Sequence, residues 1–385
     1  MRSLEAKIAA ADGRPSGFDY LRLVLATGVI LTHSFAINLD PAALNEQVRL
    51  MPVLRVPIGY IVPMFFALSG FLVAGSLQRS RSLLGFLGLR GLRIAPALAM
   101  EVTLSALILG PIFTTLPLKD YFADRQFWTY FLNMTGDIHY FLPGVFRDHP
   151  WVSVNAQLWT VPIELYCYGA LAGLALIGVA RRPKLMMGAV LLLQIVMLAR
   201  TFIWPMSPAS GFYHSSSVIA CFLYGILLYG FRDRVPWSWP LFVLSTAAMI
   251  LLLAMPWGEC LFGLPAAYMA VFLGAANPKR SKIALSGDYS YGLYLYGFPI
   301  QQAVYGLGRW THSWEVNFLV SFPAALIFAV ISWRLVEKPA LSLRGLFSRA
   351  PPAIDPPAGA ERGRLSRWMS RLPGRPRERQ PQAGS

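Results

Sequence analysis

Phe18-Asp19-Tyr20-Leu21-Arg22-Leu23-Val24-Leu25-Ala26-Thr27-Gly28-Val29-Ile30-Leu31-Thr32-His33-Ser34 reads as a helix that crosses a membrane. Between Arg22 and His33 it is apolar apart from Thr27, Gly28 and Thr32. With its flanks the run is long enough to span a hydrocarbon core. Arg22 and His33 stand eleven positions apart, about three helical turns, so they share one face about 16 Å apart along the axis. Ionisable groups at membrane depth cost roughly 2.5 to 3.5 kcal/mol on insertion scales, and those that persist usually face a cavity or a partner. Arg22 falls near one end of the span, His33 toward the other, and Asp19 lies one turn below Arg22, in reach of an ion pair. The run has no small-residue cleavage site after it and reads as a retained span, not a signal peptide.

The rest of the chain follows this pattern. Of 385 residues, 55% are hydrophobic and 14% charged, with mean hydropathy +0.49. A soluble protein of average make-up carries about 25% charged residues. Too few charges remain to cover a water-facing surface, which leaves an all-α polytopic membrane protein. Ten spans are expected, near 18–38, 57–77, 94–114, 157–179, 185–204, 213–231, 237–255, 260–276, 288–308 and 316–334. With the N-terminus in the cytoplasm, 26 of the 34 Lys and Arg fall on inside segments and 7 on outside ones, with Arg22 inside the first span. That asymmetry puts both termini in the cytoplasm. It also accounts for the net charge of +15 without nucleic acid. The chain divides into a cytoplasmic N-terminus (1–17), a membrane domain (18–339) and a basic, Pro-rich tail (340–385) expected to be disordered. Cys167, Cys221 and Cys260 form no CxxC motif and read as buried small hydrophobes.

Other polar groups stand out in or near the apolar runs. Ser69-Gly70 in the second span suits a close helix approach or a cavity wall; no Gly-x-Ser-x-Gly elbow accompanies it. Arg90 and Arg93, read as lying in the inside loop before Ile94, share a helical face and carry planar forks suited to phosphate. Glu101 is a further ionisable group in the third span. The fourth span opens with Leu158-Trp159-Thr160 and carries Glu164 and Tyr166, with Trp159 suited to an interface anchor or a sugar-stacking platform. Tyr291 and Tyr294 repeat at helical spacing, as packing residues or as part of a polar cavity. Pro339 disfavours a helix at the residue before it. The longest outside loop, roughly 115–156, holds Asp137, His139, Asp148 and His149 in no recognised metal-ligand spacing; it reads as a lid or an acceptor-binding surface.

These blocks, taken in order, resemble the integral-membrane acyltransferase 3 family. Asp19, Arg22 and His33 match its Arg-x10-His block. Phe65-Phe66-Ala67-Leu68-Ser69-Gly70-Phe71-Leu72, Arg90-x-x-Arg93 with Pro96, and Leu158-Trp159-Thr160 with Glu164 and Tyr166 match three more. Ser290-Tyr291 with Tyr294-Leu295, and Trp333 through Pro339, match weaker C-terminal blocks. One departure is the absence of the His that many relatives carry after the Tyr-Leu stretch, where this chain reads Tyr296-Gly297-Phe298-Pro299.

The resemblance implies an O-acyltransferase of a bacterial inner membrane. It implies transfer of an acyl group, acetyl in most relatives, from acyl-CoA to a hydroxyl of a surface glycan or lipid-linked sugar, with acyl-CoA a co-substrate and no bound cofactor. His33, Glu164 and Arg22 are then the expected catalytic residues, Arg90 and Arg93 the donor-binding ones, and Asp19, Ser69, Trp159, Tyr166 and Tyr294 their supports. The residues alone also suit a transporter using Arg22, His33 and Glu164 as a proton relay, or a non-catalytic scaffold whose tail binds anionic lipid.

Overall fold

The computed structural model describes residues 2–44, 59–80, 82–203, 214–255, 258–281 and 286–348. Helices fall at all ten expected positions: α1 (Gly17–Ile37), α2 (Ile61–Arg79), α3 (Leu83–Leu104), α4 (Thr160–Leu176), α5 (Pro183–Ile203), α6 (Ser215–Gly230), α7 (Trp239–Ala254), α8 (Gly263–Gly274), α9 (Ser290–Tyr305) and α10 (Trp314–Ser332). Among the described residues there is no strand, only two isolated bridges, Ser3 with Pro236 and Thr114 with Val145. Six stretches, those containing α1 to α5 and α10, are long and apolar enough to cross a membrane; α6, α7 and α8 are apolar but shorter. Large apolar side chains stand exposed along α5, α7 and α10, among them Leu192, Ile195, Leu244 and Leu319. No water-soluble chain leaves so much apolar surface bare; the protein is a multi-pass membrane protein.

α2 and α6 cross at backbone contact. A Cβ on Gly70 would lie 1.9 Å from the Phe222 carbonyl oxygen, and one on Gly225 would lie 2.0 Å from that of Ala67. The close approach expected at Ser69-Gly70 is thus made, while Ser69 itself faces a cavity on the other side. α9 is nearly all buried and carries polar side chains that knit it to its neighbours. Gln301 Nε2 donates to the Ile30 carbonyl (2.7 Å) and to Ser34 Oγ (2.6 Å), and Asn317 Nδ2 donates to the Gln301 carbonyl (3.1 Å). All three cysteines are buried and none is in a disulfide.

Three boundaries differ from the sequence reading. α3 starts at Leu83, capped by Ser82 Oγ accepting from Gly85 N, so Arg90 and Arg93 lie within a helix and not in a loop. It continues through a π-helical turn, Ser105–Leu109, to Phe113. α10 likewise runs on through a π-helical turn, Trp333–Glu337, into Lys338–Ser342. Pro339 does not stop it, because it occupies the first turn of the new segment, where a missing N–H is tolerated. A further helix, Arg344–Ser348, replaces the disorder expected from residue 340; residues 349–385 lie outside the described residues, as do Arg49 and Arg55.

The 115–156 loop is largely ordered structure. It holds helices Leu118–Ala123 and Arg125–Tyr130, packed through buried Tyr121, Phe127 and Tyr130, and then dives back into the bundle. Val154, Asn155, Gln157 and Leu158 are buried. Non-helical backbone at such depth needs partners from the protein. It finds them: Asn155 Nδ2 donates to both Glu101 oxygens (2.9 and 3.0 Å), Gln157 Nε2 to the Leu295 carbonyl (2.7 Å), and Gln302 Nε2 to the Ser153 carbonyl (2.7 Å). Trp151 Nε1 donates to the Ala36 and Leu39 carbonyls, at 2.9 Å each.

His149 lies between the rings of Phe146 (4.6 Å) and Tyr305 (4.8 Å), 3.0 Å from Gln302 Oε1. Burial holds its proton affinity below the ordinary imidazole range, against the Gln302 bond and Asp148, while His312 adds to the lowering. The neutral ring is therefore the form that folding favours. Its contribution is full above the unfolded pKa of about 6.5 and declines as pH falls below it. Hydrogen exchange of the 139–155 backbone, corrected for intrinsic rate, is expected to be faster at about pH 5.5 than at about pH 7.5, and the difference to vanish in His149→Gln.

Candidate active site

α1, α2, α3, α4 and α9 line a cavity of about 530 Å³, together with Trp333 and Leu341 of the α10 extension. Its walls are apolar, with Phe65, Phe66, Leu68, Leu72 and Ile94 prominent. Into this lining project Arg22, Arg79, Arg90 and Arg93, the carboxyl groups of Glu164 and Asp288, and the hydroxyls of Ser69, Ser76, Thr160, Tyr168, Tyr291 and Tyr294. A mixed lining of this kind suits an elongated ligand with an anionic head and an apolar arm.

Six of the ten expected catalytic, donor-binding and supporting residues share this cavity, Arg22, Ser69, Arg90, Arg93, Glu164 and Tyr294, and Tyr291 lines it beside Tyr294. Asp19 stands behind Arg22 at 3.6 Å, as its spacing implies, and at the same distance from Arg280. The shorter partner of Arg22 is Asp288, at 2.6 Å, and the same Asp288 oxygen lies 2.6 Å from Arg93. Arg93 also faces Glu337 at 3.8 Å. Glu164 accepts a short hydrogen bond from Tyr168. The re-entrant chain explains its depth: α4 begins inside the bundle, so Glu164 faces the arginines and not the outer rim. The hydroxyls of Thr160 and Tyr294, in the same lining, are 2.6 Å apart.

The remaining three lie elsewhere. Tyr166 is 71% exposed; two positions from Glu164 is about 200° round a helix, so it turns away from the cavity. Trp159, half-buried, packs against the main core and does not offer an open stacking face. His33 is not in the cavity lining. Its ring meets Phe298 edge-on at 5.1 Å, and Phe298 stands one turn beyond Tyr294 on α9. His33 thus packs on α9 one turn beyond the last α9 residue of the cavity lining.

Asp288, Glu337, Tyr168, Arg79 and Ser76 were given no role by sequence reasoning. For Tyr168 a signal existed: its i, i+4 spacing from Glu164. Asp288 comes from a segment 266 positions from Arg22, and no local pattern announces such a pair.

The fold and cavity define a multi-pass membrane protein with an arginine-headed, apolar-walled internal site. The family described as "Acyltransferase domain" matches residues 16–336, and the chain belongs to this acyltransferase 3 family; it is an O-acyltransferase, as the ordered sequence blocks implied. It is similar to the "O-acetyl transferase" of Shigella phage Sf6, 25% identical over 339 residues, covering 83% of this chain and 94% of that one. It is also similar to "Nodulation protein 10" of Rhizobium leguminosarum bv. viciae, 26% identical over 366 residues, covering 87% and 95%. No solved structure matches.

Proposed function

We propose that this O-acyltransferase takes an acyl group, acetyl by analogy with the phage relative's name, from acyl-CoA and passes it to a hydroxyl of a glycan or lipid-linked sugar. On this reading all ten helices cross a bacterial inner membrane, with both termini in the cytoplasm. The observation that carries it is the mixed lining of the cavity, four arginines beside apolar walls and hydroxyls, with His33 packed on Phe298 one turn beyond Tyr294. Phosphates of the donor sit among the arginines and the thioester reaches toward Tyr294. His33 takes the proton of the acceptor hydroxyl; its oxygen attacks the thioester carbonyl, and CoA leaves as thiolate. Glu164, held by Tyr168, supplies a carboxylate between donor and acceptor.

The test is a mass comparison of host surface and exported glycans with the gene intact, deleted and restored. Deletion is expected to remove an acyl-sized increment that restoration returns. Unchanged masses, together with solute flux that depends on the gene, would sink the proposal in favour of transport.

A further inference from the structure

The four arginines of the cavity are not equivalent. Arg22 Nη1 and Arg93 Nη2 share one oxygen of Asp288, at 2.6 Å each, and the other Asp288 oxygen accepts from Ser290 Oγ at 2.6 Å. Asp19 and Glu337 back the two guanidinium groups from behind, at 3.6 and 3.8 Å. This cluster is neutralised from within. Arg79 and Arg90 differ. Among the described residues neither has a carboxylate within ion-pair distance. Arg90 donates to Ser76 Oγ at 3.3 Å; its Nε, like that of Arg22, is buried without a hydrogen-bond partner. Ser76 and Arg79 sit on the last turns of α2, three positions apart and so on one face, and both line the same cavity as Arg90. Arg79 is exposed and Arg90 half-buried, with Glu164 acting on Arg90 from beyond ion-pair distance; neither guanidinium is committed to a direct ion pair, which leaves both able to meet an entering anion.

From this we infer that the anion-holding residues are Arg79, Arg90 and Ser76, and that Arg93 is not one of them. Asp288 is a positioning residue that ties Arg22 to Arg93 and keeps both from the ligand's anionic group. The ligand class is a phosphate or pyrophosphate ester. Naming it as the CoA end of an acyl donor rests on the proposal above; the anion site itself does not. The Arg90-x-x-Arg93 pair, which looks uniform on a helical face, is thus divided in work: one member meets the ligand, the other holds the helices of the site together.

The experiment uses the full-length protein in lipid nanodiscs, with CoA and inorganic pyrophosphate as separate calorimetric probes. Arg79→Gln and Arg90→Gln are each expected to weaken both probes roughly ten- to hundredfold, with partial recovery in the Lys variants. Arg93→Lys, which keeps the charge that balances Asp288 and Glu337, is expected to bind both probes as the unaltered protein does. Asp288→Asn keeps size and hydrogen bonding but releases two guanidinium groups, so it is expected to bind both probes more tightly while turnover falls. Unchanged binding in Arg79→Gln and Arg90→Gln, weakened binding in Arg93→Lys, or looser binding in Asp288→Asn overturns the inference. Pyrophosphate binding that depends on Arg79 and Arg90, without CoA binding, upholds the site and overturns the donor. If neither probe binds, both are overturned.

Discussion

His33→Ala is expected to lower the rate of acyl transfer roughly 10²–10⁴-fold, the range for loss of a positioned proton acceptor, while the protein still accumulates and binds its donor. The imidazole touches Phe298 edge-on and has no hydrogen bond that would make it a structural strut among the described residues. Its loss leaves a small gap beside a ring, not a broken network. It also lies outside the arginine-lined cavity, so donor affinity has no reason to change. The measurement is a single-turnover assay with acyl-CoA and an isolated acceptor, alongside CoA titration. Full activity would remove His33 from the mechanism. Lost activity with equally weakened CoA binding would assign it to the donor site. The next layer of α1 acts as a control for position: Ser34 is buried and bonded to Gln301, and its replacement by Ala is a stability change, read in thermal unfolding.

Gly70→Leu is expected to abolish accumulation of folded protein. The clash is with backbone, 1.9 Å from the Phe222 carbonyl oxygen, and Gly225 makes the reciprocal contact on Ala67. No rotamer change relieves it; α2 and α6 must separate. Helix pairs in a membrane depend on such close packing because lipid tails compete equally well for apolar side chains. Overpacking a well-formed core costs about 1 to 3 kcal/mol even where side chains can yield, and here they cannot. Since α2 also carries Phe65, Phe66 and Ser69 into the cavity, the site is lost with the crossing. The control is Gly173→Leu, where a new Cβ meets open space; monodisperse, active protein is expected. Size-exclusion chromatography in detergent separates the two outcomes, and a normal profile for Gly70→Leu would mean that the crossing is not tight in the membrane.

The parts of the site legible in the sequence were those whose cost or spacing is local. Arg22 and His33 stood out because charge and imidazole are expensive in an apolar run, and Asp19 because it is one turn from Arg22. Glu164 stood out for the same reason, but its depth did not: the short 3₁₀ turn Ala156–Trp159 and the buried non-helical segment before it lower α4 into the bundle, and hydropathy has no sign for re-entrant chain held by side-chain amides. Arg90 and Arg93 were visible as a pair, yet were assigned to a loop, because a helix start at Ser82 is marked only by a single capping hydroxyl. Tyr166 looked as much a part of its motif as Glu164, and only the helix phase relative to the cavity separates them.

What the sequence determined by itself was the solvent and the winding. Fifty-five per cent apolar residues with 14% charged dictate burial in lipid, lipid dictates helices because every backbone group must be paired within the chain, and ten apolar runs place them. Family membership was also readable, since ordered blocks of residues are a linear property. The tertiary structure decided which charges neutralise each other. Asp288 reaches Arg22 and Arg93 from a helix start more than two hundred and sixty positions from the first and nearly two hundred from the second, while among the described residues Arg79 and Arg90 have no carboxylate within ion-pair distance. Coulomb attraction falls with distance in space and not with separation along the chain, so the charge balance of the site exists only once the helices have packed.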